Sequence, residues 1–257
     1  MSRLALLFEN KRSRVLNVYC TAGYPELDST LHVMEALQKN GADIIELGMP
    51  YSDPLADGPV IQASSGLALQ HGMTIDILFK QLLNFRDKIS IPVVLMGYLN
   101  PILQYGFEKF CARAASLGID GLILPDLPIH EFESEYGAII KKYELDFIFL
   151  ITPETSEERI KKIDELSSGF IYAVSSSSTT GSNKNFASLE NYFSKLNSLH
   201  LRHPVLVGFG IKDKETFNAA CAFSNGAIIG SAYIQVLEKC RDINQATEHF
   251  LNGIISN

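Results

Sequence analysis

The chain has 257 residues, 46% hydrophobic and 20% charged, which is enough to bury a sizeable core in one barrel-sized domain or two small ones. Its 22 lysines and arginines against 29 aspartates and glutamates give a net charge of −7 with no clustered basic run, which excludes nucleic acid and anionic membrane as expected partners. The longest apolar runs fall far short of a membrane span, residues 1–10 lack a signal peptide's apolar core and cleavage site, and the four scattered cysteines form no CxxC pair, so a reduced cytoplasmic chain is expected.

In chain order, short β-rich apolar runs occupy 15–20, 44–48, 91–96, 121–124, 147–151, 170–175, 204–208 and 226–230. Between them lie segments with apolar residues at three and four spacing, such as 30–38, 75–85, 108–117 and 157–166. Eight alternations of this kind predict a single (β/α)8 TIM barrel over residues 1–257. An open doubly wound sheet is the alternative, but its first turn carries GxGxxG, and here only Gly23 follows the first run. No repeat, charge block or Pro-rich linker divides the chain. Two connections exceed plain turns: residues 51–59 (YSDPLADGP) after the second run and 176–188 (SSSTTGSNKNFAS) after the sixth. In a barrel both belong to the carboxyl-terminal mouth, where the chemistry is housed. The second loop's Ser, Thr, Gly and Asn composition would equally suit a disordered surface insertion.

Glu46 interrupts an apolar strand that should be buried on both faces. If Ile45 and Leu47 face the helices, period-two alternation points Ile44, Glu46 and Gly48 into the barrel. Burial there disfavours the charged carboxylate and moves the acid toward neutral pH, where it can both give and take a proton. An interior glutamate held for architecture alone is the alternative, at the cost of desolvating a charge without a role. Asp53 and Asp57 lie in the next loop, where Asp-Pro and Asp-Gly-Pro are also ordinary turn sequences. Folded over the mouth, that loop would add a second carboxylate in a different environment, allowing separate acid and base roles.

Three glycine turns, Thr180-Gly181, Gly208-Phe209-Gly210 and Gly230-Ser231, follow the sixth, seventh and eighth runs. Their shared physical use is a phosphate cradle, because glycine admits close backbone N–H approach and a helix amino terminus favours an anion. No histidine stands at a strand terminus and no lysine lies inside an apolar run, so metal-assisted and Schiff-base chemistry have no candidate residues. Lys212 reads as the solvated first turn of a helix. Cofactor-free carboxylate acid–base chemistry on a phosphorylated small molecule remains, and another phosphate-binding barrel isomerase fits the same physics.

The run Ile45-Glu46-Leu47-Gly48-Met49-Pro50-Tyr51-Ser52-Asp53-Pro54-Leu55-Ala56-Asp57-Gly58 resembles the signature of the tryptophan synthase alpha subunit family. Tyr19-Cys20-Thr21-Ala22-Gly23-Tyr24-Pro25, Met96-Gly97-Tyr98-Leu99-Asn100-Pro101, residues 120–128, Gly208-Phe209-Gly210-Ile211 and Gly230-Ser231-Ala232 extend the likeness over essentially the whole chain. The resemblance implies cleavage of indole-3-glycerol phosphate into indole and glyceraldehyde 3-phosphate by a retro-aldol step. By the same resemblance Glu46 is the general acid–base, Asp57 partners the indole N–H, Tyr19 lies near the indole, and Tyr172 lies near the glycerol. Thr180, Gly181, Phe209, Gly210, Gly230 and Ser231 match its substrate and phosphate positions. It further implies no cofactor in this chain, an α2β2 assembly with a beta subunit, and pyridoxal phosphate on that partner. The sixth loop departs from the family's usual Ser-Arg-x-Gly-Val-Thr-Gly, with Ser176 and Ser178 in place of the arginine and first glycine.

Overall fold

The structure, a computed structural model, describes residues 1–174, 186–208 and 210–256. Nine strands are formed among these residues: β1 (Val15–Thr21), β2 (Ile44–Gly48), β3 (Val93–Met96), β4 (Gly121–Ile123), β5 (Asp146–Ile148), β6 (Leu150–Ile151), β7 (Ile171–Val174), β8 (Val205–Gly208) and β9 (Gly226–Ile229). All pair in parallel, in the order β5-β4-β3-β2-β1-β9-β8-β7-β6. The two ends of that order, β5 and β6, are consecutive in the chain and joined by Phe149 alone. Its carbonyl accepts from the Tyr172 N–H at 2.9 Å, so the sheet runs round to meet itself as the expected barrel.

The predicted run 147–151 is thus two short strands. One half pairs with β4 and the other with β7, and the ladder changes partner at Phe149. The helices Thr30–Lys39, Phe107–Leu117 and Glu157–Leu166 fall on the predicted segments. The segment 75–85 instead divides into a helix, Ile75–Gln81, and a single 3-10 turn, Phe85–Asp87. Asn84, with φ of 58°, separates the two.

Alternation sorts the strand side chains as expected. Ile45, Leu47 and Leu95 pack outward with the helix residues Met34, Phe79 and Phe110. Ile44, Val94, Ile123, Ile148, Tyr172 and Leu206 form a second, inner cluster. The amino-terminal end of that inner core is closed by an element with no counterpart in the predicted set, the helix Arg3–Asn10. Its Leu4 and Phe8 join the inner cluster, and the Phe8 and Phe170 rings lie 6.2 Å apart. Leu4, Leu7 and Phe8 stand at three and four spacing, a signal one helical face wide in a segment only ten residues long. With the bottom plugged, the barrel opens at the carboxyl ends of its strands.

Candidate active site at the carboxyl-terminal mouth

Glu46 is where alternation puts it, inside the barrel at 1% exposure. In register beside it stands Tyr19, and two residues earlier on β1 is Asn17, whose Nδ2 donates to Glu46 Oε2 at 2.7 Å. Burial pushes the Glu46 pKa from its ordinary 4.5 up to about 8. The Asn17 N–H pulls against that rise by favouring the carboxylate, and the charge of Asp57 adds to it.

Asp57 closes the loop after β2. Its own N–H donates to the Pro54 carbonyl at 3.2 Å, which forms the turn, and Gln62 donates to its carbonyl at 2.8 Å. Gly58 then caps the helix Pro59–Gln70, whose first residue is a proline at the position where a missing N–H costs nothing. The result is an aspartate 8% exposed, with burial raising its pKa to about 6 and a hydrogen bond from Tyr98 lowering it. Tyr98 also accepts from the Ala56 N–H at 3.0 Å and packs its ring 5.3 Å from that of Tyr51. Residues after β3 therefore hold the loop that carries Asp57. Asp53 is exposed and bonded to its neighbour Ser52, so of the two loop aspartates only Asp57 faces inward.

Glu46 and Asp57 line one cavity of about 260 Å³ with Tyr19, Tyr172, Gly210, Gly230 and Ser231. Ile61, Met96, Leu150 and Ile228 supply an apolar wall suited to a flat aromatic ring. Tyr172 lies deep enough that burial raises its pKa well above the ordinary tyrosine value, with further contributions from Glu46 and Asp57. At the other side the helix Ser231–Lys239 begins at Gly230, whose carbonyl accepts from Tyr233 and Ile234 at 2.9 and 3.2 Å. The N–H groups of Ser231 and Ala232 precede those bonds and belong to residues on the cavity wall, an arrangement that receives an anion. Gly210 has φ of 79°, a left-handed conformation that favours glycine, and no atom lies within 4 Å of where a Cβ would stand.

Lys212 corrects the sequence reading. It is exposed, but it precedes the N-cap Asp213 of the helix Lys214–Cys221 rather than lying in its first turn, and it lines the cavity beside Gly210 and Ser231, adding a cation to the anion end. Thr180, Gly181 and Phe209, with Ser176 and Ser178, lie outside the described residues. Asn17 and Tyr98 were not singled out as functional from sequence. Asn17 carries a legible signal, a polar residue inside an apolar strand at the same parity as Tyr19. Among the described residues no group of three His, Cys, Asp or Glu side chains could hold a metal, and no helix is long and apolar enough to cross a membrane.

Two acids with pKa values about two units apart in one cavity can hold opposite protonation states near neutral pH, one as proton donor and the other as anion. The family model described as tryptophan synthase alpha chain matches residues 5–253. A tryptophan synthase alpha chain of Flavobacterium johnsoniae is 55% identical over 227 residues, covering 88% of this chain and 90% of that protein. One from Parabacteroides distasonis is 49% identical over 255 residues, 99% of each. Among solved structures, tryptophan synthase subunit alpha from Legionella pneumophila superposes with a TM-score of 0.89 at 35% identity, over 99% of this chain and 97% of that one. A chain of tryptophan synthase from M. tuberculosis gives 0.86 at 30% identity, over 99% and 100%. Sequence likeness across both chains' full length and a shared barrel lead to one assignment: the chain belongs to the tryptophan synthase alpha chain family.

Proposed function

We propose that this chain cleaves indole-3-glycerol phosphate to indole and glyceraldehyde 3-phosphate as the alpha subunit of a tryptophan synthase. The observation that carries the residue roles is the pair of unequally shifted acids in one cavity with an anion cradle. At pH 7 Glu46, with a pKa of about 8, rests protonated, and Asp57, at about 6, rests ionised. Glu46 gives its proton to C3 of the indole, which makes the ring cationic. Asp57 accepts the hydrogen bond of the indole N–H, which strengthens as that charge develops. The Glu46 carboxylate then takes the proton of the hydroxyl on the carbon attached to C3. The carbon–carbon bond breaks, its electrons return to the ring as neutral indole, and the hydroxyl carbon leaves as the aldehyde. Glu46 ends protonated, as it began. Tyr19 and the apolar wall seat the indole, Tyr172 lies along the glycerol, and Gly210, Gly230, Ser231 and Lys212 receive the phosphate. Thr180, Gly181 and Phe209 complete that set in the proposal by their match to the family's positions.

An alpha chain has a beta partner, and we propose an α2β2 assembly in which the partner holds pyridoxal phosphate and consumes the indole. The docking face is the rim formed by residues 51–59 and the start of the helix Leu99–Tyr105 at Asn100. Leu55 there is 91% exposed and Leu103, in the same helix, is 42% exposed, which places apolar surface at the rim. The Asn100 amide donates to the Tyr51 hydroxyl at 3.2 Å, so pressure on either segment reaches the loop that holds Asp57. Steady-state indole release from indole-3-glycerol phosphate, with purified beta subunit titrated in, tests both statements. A slow lyase accelerated at least ~10-fold by the partner is expected, a change requiring only ~1.4 kcal/mol of coupling. Absence of indole release under all conditions overturns the activity; full activity without response to the partner overturns the docking.

A further inference from the structure

Asn17 stands among the barrel's buried polar residues as one whose capacity is only partly used. Its side chain is fully buried, yet the one hydrogen bond it makes among the described residues is to Glu46, and its Oδ1 lies in the interior without a partner. A buried amide with half its capacity unused costs more than an apolar side chain of the same volume, so packing alone does not account for it. Other buried polar groups nearby are provided for: Thr21 and Ser64 bond each other at 2.7 Å, and Ser64 also donates to the Ile61 carbonyl.

We propose that Asn17 is a positioning residue for the proton chemistry of Glu46: its amide N–H fixes one carboxyl oxygen and stabilises the carboxylate that forms when the proton is given away. The inference rests on the role of Glu46 proposed above and goes beyond it. The register β1 to β2 places Asn17 opposite Ile44 and Tyr19 opposite Glu46, so the amide reaches Glu46 from below, on the side away from the mouth. It occupies no part of the cavity wall and leaves the carboxyl's approach to substrate clear.

The groups that act on Glu46 from the surrounding elements bear this out. Asp57, from the loop above, repels a negative charge there. Tyr19 and Cys20 on β1 and Tyr172 on β7 sense the charge of Glu46 and are held neutral, their pKa values raised first by burial. From β3 the register partner is Val94, which is apolar. Asn17 is thus the contributor that favours the ionised form, against burial and Asp57. Without it the acid would be weaker and would part with its proton less readily at the step that needs it.

The test compares Asn17→Leu, which removes the donor and keeps the volume, with Asn17→Ala, which removes the donor without introducing a second titratable group beside Glu46. Two readouts apply. In the pH profile of kcat/KM, the limb set by Glu46 moves to higher pH by about one unit in both variants, roughly the worth of one charge-assisted hydrogen bond, with kcat reduced and KM nearly constant. The carboxyl 13C resonance of Glu46, identified by its loss in Glu46→Gln, titrates at correspondingly higher pH without reference to activity. An unmoved limb and resonance in folded variants overturns the proposal, as does a rise in KM alone or a uniform loss of rate with the profile unshifted. If Glu46→Gln keeps parental turnover, the reading of Glu46 itself has failed. If that variant is inactive while the Asn17 variants titrate like the parent, the Asn17 inference alone is wrong.

Discussion

At the amino-terminal end of the barrel Asp120 is 5% exposed, between Glu46 at 1% and Asp57 at 8%, and it is fully provided with donors. Arg3 reaches one oxygen at 3.0 Å, while Arg86 and the Val93 N–H, at 2.7 Å, take the other. Arg86 is in turn spent on the carbonyls of Gly118, Ile89 and Ile91. Asp164, also at this end, accepts from the backbone N–H groups of Arg202 and His203. At the mouth, Glu46 has one amide donor and Asp57 has Tyr98, and both acids are pushed toward neutral pH. Asp146, also at the bottom, is an intermediate case: burial raises its pKa, hydrogen bonds from Ser2 and Ser168 oppose the rise, and its Oδ2 has no partner. A buried acid with enough donors is architecture, and one with too few is left with a proton to exchange.

The sharpest separation should come from Asp120→Ala. Leaving Arg86 with an uncompensated buried charge should cost ~3–5 kcal/mol of stability in urea titration, while indole release per folded molecule stays at the parental rate. Loss of turnover at unchanged stability would erase the distinction between the two ends. Glu46→Gln should do the reverse, lowering kcat at least ~10²-fold because an amide cannot shuttle a proton, with folding retained. Asp57→Asn should lower kcat by ~10-fold or more with little change in calorimetric substrate affinity, since its charge counts most when the ring is cationic. If affinity alone falls, Asp57 shapes the loop and takes no part in the chemical step.

The smallest effect is thermodynamic. Because the folded Glu46 pKa, about 8, lies above its ordinary 4.5, the folded state binds the proton more tightly than the unfolded chain does. Its contribution to stability is complete below 4.5 and is lost as pH rises through 8. Asp57 has already made its own change by about pH 6, so between pH 6 and 9 the slope belongs mainly to Glu46. Melting temperature should fall over that range by several degrees, at ~2–4 °C per kcal/mol for a domain of this size, and Glu46→Gln should flatten the decline. An identical decline in the variant would assign it to another group.

The strand set was legible as β-rich apolar runs and the inward face of Glu46 as period-two alternation within one of them, both properties of neighbouring residues. What escaped depends on closure. Asn17 meets Glu46 only through the β1–β2 register, and no local pattern states which residues of two strands stand side by side. Asp53 and Asp57 have nearly the same turn chemistry, and what separates them is Tyr98, a residue from a different strand's loop. Lys212 was read from its exposure, which is real, but exposure at a rim is also access to the cavity.

Neither Gly48 nor Gly208 is part of the cavity wall, yet each lies directly beneath a ring that is. A Cβ on Gly48 would collide with the Tyr19 ring and hydroxyl, and one on Gly208 with those of Tyr172. The space available to an incoming molecule is therefore set from behind, by two absent methyl groups that let both tyrosines lie back against neighbouring strands. An alanine at either place would tip a ring forward and narrow the chamber without changing the identity of any residue on the cavity wall. Efforts to widen or restrict what this barrel admits have in those two positions a dial separate from its proton chemistry.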